Sequence, residues 1–399
     1  MRVLLAGLVG LMVVGCAVAP PVATAGPVGG GAGNAALAVD LYRQVAKEPG
    51  NVVVSPTSLA AAMAVVALGA EGETRAGIDR ALHFAPGDPT AALGTDLAAL
   101  AGTRDGARVD IANALWVQND FALKPAFVAA AKRNLGADVA PLDFGQRVAA
   151  AAKINRWASD NTAGRIPTIV SSDSFSAATR LVVTNAVYLL ADWDQQFSAN
   201  DTTDAPFTGR GGKLSTVRMM SQRGSYRMIE RDGVKAIDLP YRGGRLSMVA
   251  ILPDDAAGLP DIERRFDARW LKSLTGALDA TAPEAVKLAF PKVRNEVKYE
   301  LGDALTEMGM GRAFTGAAEF GGIANAPLAI SRVVQKTFLK IDEKGTEAAA
   351  VTAVDMIVTG MRISRERTFI ANHSFLFLIR DRPTGQILFV GRIEAPSVG

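Results

Sequence analysis

Histidine is almost missing from this chain: His83 and His373 are the only two in 399 residues. That excludes a histidine-rich metal centre, and no His-Glu-x-x-His motif occurs. A Ser-His-Asp triad would have to recruit one of the two. His83 lies in Leu82-His83-Phe84 ahead of Pro86-Gly87 and reads as a helix-terminal or surface histidine. His373 lies in Asn372-His373-Ser374-Phe375 at a strand entrance, where turn chemistry accounts for it. No Gly-x-Ser-x-Gly elbow occurs either. The run Gly209-Arg210-Gly211-Gly212-Lys213 lacks the glycine spacing of a phosphate loop. Leu214 stands where Ser or Thr should hold a magnesium ion, so the run reads as a hairpin turn. Charge of one sign is also lacking: 43 basic residues face 40 acidic ones, for a net +3. No Lys or Arg run argues for nucleic acid, and Glu366 interrupts the loose cluster of Arg362, Arg365 and Arg367. Four Trp and five Tyr are scattered, not arranged as a base-stacking platform. The expectation is a protein that is not an enzyme, with no catalytic site, metal or cofactor.

Cysteine occurs once, at Cys16, so no internal disulfide can form. Arg2 and an apolar stretch from Val3 to Val14 precede it, too short to span a bilayer. Val13-Val14-Gly15-Cys16 resembles a bacterial lipobox, in which Cys16 becomes the lipidated first residue. Cleavage after Ala23-Thr24-Ala25 is the rival reading and would release a free secreted protein. The lone cysteine at this point favours the lipoprotein. Residues 1–15 are thus read as a signal peptide and 16–34 as a lipid-anchor segment and flexible linker rich in Pro, Gly, Ala and Val. Either way the protein is expected to be exported. A membrane lipoprotein facing outward is favoured, with contact to the membrane through the anchor only.

Residues 35–399 read as one domain, 49% of the whole chain being hydrophobic and 21% charged. Asn34 to Lys47 predicts a helix stopped by Pro49-Gly50. Val52-Val53-Val54 is a short buried strand. Ser55-Pro56 then opens a helix with a serine cap and a first-turn proline, ending at Gly69. Val148 to Asn161 and Lys298 to Met308 predict further helices, the latter stopped by Gly309. Strands are expected at Leu181–Leu190, Leu246–Leu252, Val286–Phe290 and Ser331–Ile341. A terminal pair, Phe375–Arg380 and Gln386–Arg392, flanks Pro383-Thr384-Gly385. Helices dominate early and strands late, which favours α+β over an alternating parallel fold.

One tract stands apart. From Thr346 the alternate positions Ala348, Ala350, Thr352, Val354, Met356 and Val358 are small or apolar, while Glu347 and Asp355 lie between them. A period of two with one uncharged face suits a half-buried strand. Yet Ala348-Ala349-Ala350 behind Gly345 is poor strand material by propensity. The tract can enter a sheet without being committed to one.

Several segments together resemble the serpin family. Glu343-Lys344-Gly345-Thr346-Glu347-Ala348-Ala349-Ala350 is similar to the hinge of its inhibitory members. Phe369-Ile370-Ala371-Asn372-His373-Ser374-Phe375-Leu376-Phe377-Leu378-Ile379 resembles the family signature. Asn51 to Leu59, Leu181 to Tyr188, Ala191-Asp192-Trp193 and Leu239-Pro240-Tyr241 also match, in family order across residues 35 to 395.

The resemblance implies an α+β fold of three β-sheets and many helices, with an exposed reactive loop near the C-terminus. It implies a serine protease inhibitor acting as a suicide substrate. The target cleaves the loop, an acyl-enzyme forms, and the loop inserts as a strand of the largest sheet. The hinge would comprise Glu343, Gly345, Thr346, Glu347, Ala348, Ala349, Ala350 and Thr352. Counting from Gly345 places the scissile bond at Thr359-Gly360, with cleavage after Met361 or Arg362 as alternatives. Uncharged Met356, Ile357, Val358 and Thr359 suit an elastase-like or subtilisin-like target; use of Arg362 would suit a trypsin-like one. Ser55, Ser58 and Asn185 match a polar cluster beneath the opening sheet, with Gln335 where relatives usually carry histidine. Those four could equally serve only to satisfy buried backbone groups. Trp193 matches the aromatic at the top of the sheet. A monomer is expected. A non-inhibitory serpin-fold binding protein and an inhibitor of cysteine proteases are the alternatives.

The residues themselves are compatible with insertion. The inward set carries no charge, whose unpaired burial would cost several kcal/mol, and no proline. About 14 residues at roughly 3.3 Å each reach about 46 Å, far enough to displace an attached protease.

Overall fold

The computed structural model describes residues 31–397 except 101, 105–106 and 347–366. Cys16, and the loop positions Glu347, Ala348, Ala349, Ala350, Thr352, Thr359, Gly360, Met361 and Arg362, lie outside the described residues.

The architecture is α+β. A seven-stranded sheet has Ile330–Ile341 and Leu181–Asp192 at its centre, with Val293–Glu300 on one side and Ala107–Gln118 on the other. Nine more strands form a second connected set, held together by the 18-residue strand Leu214–Arg231. Met219 to Tyr226 of that strand pairs with Glu284–Pro291, while Arg227 to Arg231 pairs with Val234–Pro240. The set is therefore two sheets sharing one long strand, and the described residues form the three sheets expected. Gly209 to Lys213 is the tight turn joining Thr202–Thr208 to the long strand, as its glycines required.

The Pro56–Leu68 helix sits between the sheets, packing on both the Gln386–Ile393 strand and the Leu181–Asp192 strand. Every residue from Pro56 to Ala67 is buried. A helix apolar all round has no solvent face, and this one is accordingly central. Ser55 caps it in extended conformation, Pro56 opens it, and Gly69 ends it. A side chain at Gly69 would place its Cβ 2.2 Å from Ile323.

Leu181–Asp192 is buried on both faces, which explains why it is mostly apolar, with Thr184 and Asn185 as polar positions inside it. Val182, Ala186 and Tyr188 face a core with Ile154 and Ala158 of the Arg147–Asn161 helix, while Leu181 and Val183 face the Pro56–Leu68 helix side. Near its upper end Val187, Leu189 and Ala191 join Phe207, Tyr241, Phe290 and Phe377 between the sheets.

Two expectations need correction. The helix expected from Lys298 to Met308 begins later. Val293–Glu300 is an edge strand on Ile330–Ile341, and helix starts only at Gly302, as an α turn at Gly302–Leu305 followed by a π-helical turn at Thr306–Met310. Arg294, Glu296, Lys298 and Glu300 alternate with Val293, Val297 and Tyr299, so the true period there is two. Gly309 does break the turn, with φ 111°. The expected linker also ends early, because the first helix spans Gly31–Val45. Asn34 fixes it: its amide donates to Thr57 Oγ1 (3.0 Å) and its carbonyl accepts from Ile387 N (2.6 Å). Among the described residues no helix is long and apolar enough to cross a membrane.

Candidate functional site

Strand register brings three amides together under the large sheet. Asn185 stands opposite Gln335 on one neighbour and opposite Asn113 on the other. All three are buried, as are Ser55 and Ser58 at the helix N-terminus below them. Gln335 accepts from Ser55 N (2.9 Å) and donates to Ser55 O (2.9 Å) and Asn185 Oδ1 (2.7 Å). Asn185 Nδ2 donates to Asn113 Oδ1 (2.6 Å) and Ser58 O (3.0 Å), and reaches Ser58 Oγ. Ser55 Oγ accepts from Ser58 N (3.3 Å) and donates to Leu388 O (2.6 Å).

Ser55, Ser58, Asn185 and Gln335 thus form one network, and Asn113 belongs to it although sequence reasoning missed it. Its signal was a lone amide among apolar strand neighbours, interpretable only with the pairing known. The Asn185–Gln335 bond crosses the seam between the two central strands, so separating those strands must break it. Amides and hydroxyls make up the network, so none of its members gains or loses charge near neutral pH.

The same seam opens at its upper end. Leu181–Asp192 and Ile330–Ile341 run parallel and pair directly from Leu181 to Tyr188. Beyond that point the two-residue strand Gly345–Thr346 lies between them. Thr346 pairs antiparallel with Ala191 on one side and Ile341 on the other. Gly345 has no room for a side chain, since a Cβ would stand 2.0 Å from Ala191 O. Thr346 is fully buried, and its hydroxyl lies 2.6 Å from that of Tyr241. Trp193 stacks on Tyr241 at 4.5 Å and 6°, and its indole donates to Asp342 O (3.0 Å). Its backbone N donates to Lys344 O (2.8 Å), and Phe197 N donates to Glu343 O (2.8 Å). Glu343, Gly345, Thr346 and Trp193 are therefore gathered at one point. Tyr241 and Lys292 complete it. The Leu239-Pro240-Tyr241 motif alone assigns Tyr241 no role, and nothing in the sequence singles out Lys292.

Glu343 clamps the turn from outside. It pairs with Lys292 Nζ (2.8 and 3.1 Å) and accepts from Thr202 Oγ1 (2.9 Å). Burial opposes its charge, but Lys292, its own backbone N–H and Thr202 outweigh burial and hold its pKa below the usual value. A depressed carboxylate pKa contributes stability above the ordinary Glu range, and that stability is lost as pH falls through the folded value. Glu343→Gln should therefore lower Tm by a few degrees at pH 7, with the difference from wild type shrinking in acid. Thermal melts across pH 3–7 check this; a gap that does not narrow in acid contradicts the assignment.

Neither histidine enters the site. His83 Nε2 meets Asp40 Oδ2 (2.7 Å), and His373 is held by Pro253 O (2.8 Å) and Asn372 Oδ1 (2.9 Å). Among the described residues no three His, Cys, Asp or Glu side chains converge as metal ligands.

Comparison with known proteins gives this arrangement its family. The model of the Serpin (serine protease inhibitor) family matches residues 32–396. The chain is a serpin. It is 39% identical over 366 residues to an uncharacterized serpin-like protein of Thermococcus kodakarensis, covering 90% of this chain and 84% of that one. It is 34% identical over 375 residues to the human leukocyte elastase inhibitor, covering 91% and 98%. Among solved serpin structures, Serpin48 of the insect Tenebrio molitor superposes with a TM-score of 0.84 at 28% identity, over 92% of this chain and 97% of that chain. Uncleaved ovalbumin superposes with a TM-score of 0.82 at 26% identity, over 92% and 100%. The serpin fold expected from the six sequence segments is thus present.

Proposed function

We propose that this serpin traps serine proteases as a suicide substrate. One observation carries the reading: Gly345–Thr346 already lies antiparallel between two parallel strands, at the mouth of the lane a longer strand would fill. If the chain continues that strand, Ala348, Ala350 and Thr352 fall on the buried face with Thr346, and none of them is charged. The chemistry balances simply. The protease serine adds to the carbonyl of Thr359, the Thr359–Gly360 bond breaks, and Gly360 leaves as an amine after taking a proton. The ester left on Thr359 is normally hydrolysed by water. Insertion of residues up to Thr359 drags the acylated protease along the sheet before water reacts. Such release of stored strain by loop insertion is a general property of inhibitory serpins.

The target is an elastase-like or subtilisin-like enzyme that accepts the uncharged residues Met356 to Thr359. Similarity to leukocyte elastase inhibitors supports that choice. Residues 1–15 act as the export signal, and Cys16 carries a lipid that holds a monomeric inhibitory domain outside the cell membrane. Residues 35–399 form that domain, with neither nucleic acid nor cofactor required.

Two measurements test this. Mass spectrometry after elastase treatment should find a cut after Thr359; a unique cut after Arg362 by a trypsin-like enzyme contradicts the target class. The loop-cleaved protein should melt well above the intact one, because a new central strand adds ladder hydrogen bonds and apolar burial. Equal melting temperatures contradict insertion.

A further inference from the structure

At the head of the large sheet, a side-chain hydrogen bond joins the inserted Thr346 to the neighbouring sheet. Tyr241 directly follows the Val234–Pro240 strand, and Trp193 directly follows the Leu181–Asp192 strand; the two form an isolated bridge. The Tyr241 side chain is sealed, with no exposure. Its ring is fixed by the stack on Trp193, and its backbone N donates to Leu246 O (3.0 Å). Its hydroxyl meets Thr346 Oγ1 at 2.6 Å. Burial pushes the phenol far above its ordinary pKa, so the hydroxyl keeps its proton and can donate at working pH. Thr346 is the last described residue before the reactive loop.

This pair differs from ordinary packing in what it joins. Tyr241 belongs to the rigid frame. Thr346 belongs to the segment that must advance into the sheet. Trp193, Asp342 and Lys344 hold the turn before Thr346 by backbone bonds. Thr346 itself is held between the strands by backbone pairing with Ala191 and Ile341, and the Tyr241 hydroxyl adds a side-chain bond from the frame.

We propose that Tyr241 is a positioning residue that latches Thr346 between the two parallel strands, and so sets the partition between protease trapping and loop hydrolysis. The latch rests on the trapping mechanism proposed above. With Thr346 held, insertion starts from a nucleated strand and only extends. Without the bond, only the backbone pairing with Ala191 and Ile341 holds Thr346, so it withdraws more often, and nucleation must then be repeated after the loop is cut. That delay favours hydrolysis of the acyl-enzyme. The net value of such a hydrogen bond corresponds to about three- to ten-fold in an equilibrium.

The test is the stoichiometry of inhibition, the moles of serpin consumed per mole of elastase or subtilisin trapped. Tyr241→Phe keeps the ring and its stack while removing one oxygen. It should increase the serpin consumed by hydrolysis, relative to that trapped, about three- to ten-fold. Thr346→Val, which removes the partner hydroxyl, should do the same. The double variant should be no worse than the poorer single, and Thr346→Ser should behave as wild type. Melting curves of the intact variants run alongside, because a purely structural role would lower Tm and leave the partition alone. Wild type that traps while Tyr241→Phe partitions identically overturns the latch only. Independent, additive effects of the two substitutions also overturn it. Wild type that traps no protease of either class overturns the latch together with the trapping mechanism.

Discussion

Thr346→Arg should turn the protein from an inhibitor into a substrate. Elastase-like proteases would cut the loop at an undiminished rate, yet nearly every cut molecule would be released rather than trapped. Thr346 is fully buried and touches Tyr241, itself fully buried. The two hydroxyls bond to each other rather than to a carboxylate, so an inserted guanidinium there would be an unpaired buried charge. Leaving such a charge unpaired costs about 3–5 kcal/mol. At about 1.4 kcal/mol per factor of ten, that is a change in partition on the order of a hundred-fold or more. Gel assays counting released against complexed serpin measure it. Trapping that persists in Thr346→Arg would mean that Thr346 does not enter the sheet as a buried residue.

The second large effect concerns the resting fold. Arg392 is completely buried in the Gln386–Ile393 strand, yet its charge is well provided for. It donates to Gly50 O (2.9 Å), Ala46 O (3.1 Å) and Glu48 O, and pairs with Glu263 (2.7 Å) and Glu394 (3.2 Å). Tyr42 donates to Glu263 (2.6 Å), and Arg210 reaches both carboxylates at 3.2 and 3.3 Å. The cluster ties the first helix, the Gly209–Lys213 turn, the Leu259–Arg265 helix and the C-terminal strand together. Arg392→Ala would leave Glu394 and Glu263 with only the partly exposed Arg210 as cation and strip three carbonyls of their donor. The expected loss is about 3–5 kcal/mol, seen as a strong drop in Tm and in soluble yield. Arg392→Met, which fills the same volume, should not restore it while both carboxylates remain. A Tm within a degree or two of wild type for either variant would contradict this view of the cluster.

Much of this fold was legible because local chemistry and tertiary context agree. Ser55-Pro56 announces a helix and caps one. Leu181 to Leu190 announces a strand, and burial on both faces extends it to Asp192. The terminal strands flank Pro383-Thr384-Gly385 as expected. The failures are equally physical. Lys298 to Met308 has the composition of a helix, but Val293–Glu300 is an edge strand whose polar positions face solvent, and strand pairing outweighs propensity there. Gly31 to Asn34 looks like linker, yet the two hydrogen bonds of the Asn34 side chain draw it into a helix.

The candidate site divides in the same way. Ser55, Ser58, Asn185, Gln335 and Trp193 could be picked out through resemblance, because they sit in recognisable segments. Asn113 could not, since its membership follows from strand register alone. Tyr241 and Lys292 needed the three-dimensional meeting of sheets distant in sequence. The hinge tract showed its uncharged face plainly in its period of two, and the structure adds that its first residue already stands between the strands.

Protease trapping is tested most directly by mixing the intact protein with elastase or subtilisin and running the products on a denaturing gel. The expected result is a band at the summed mass of serpin and protease that survives boiling in SDS, with a small C-terminal fragment released. Complete loop cleavage with active protease recovered and no such band would contradict it.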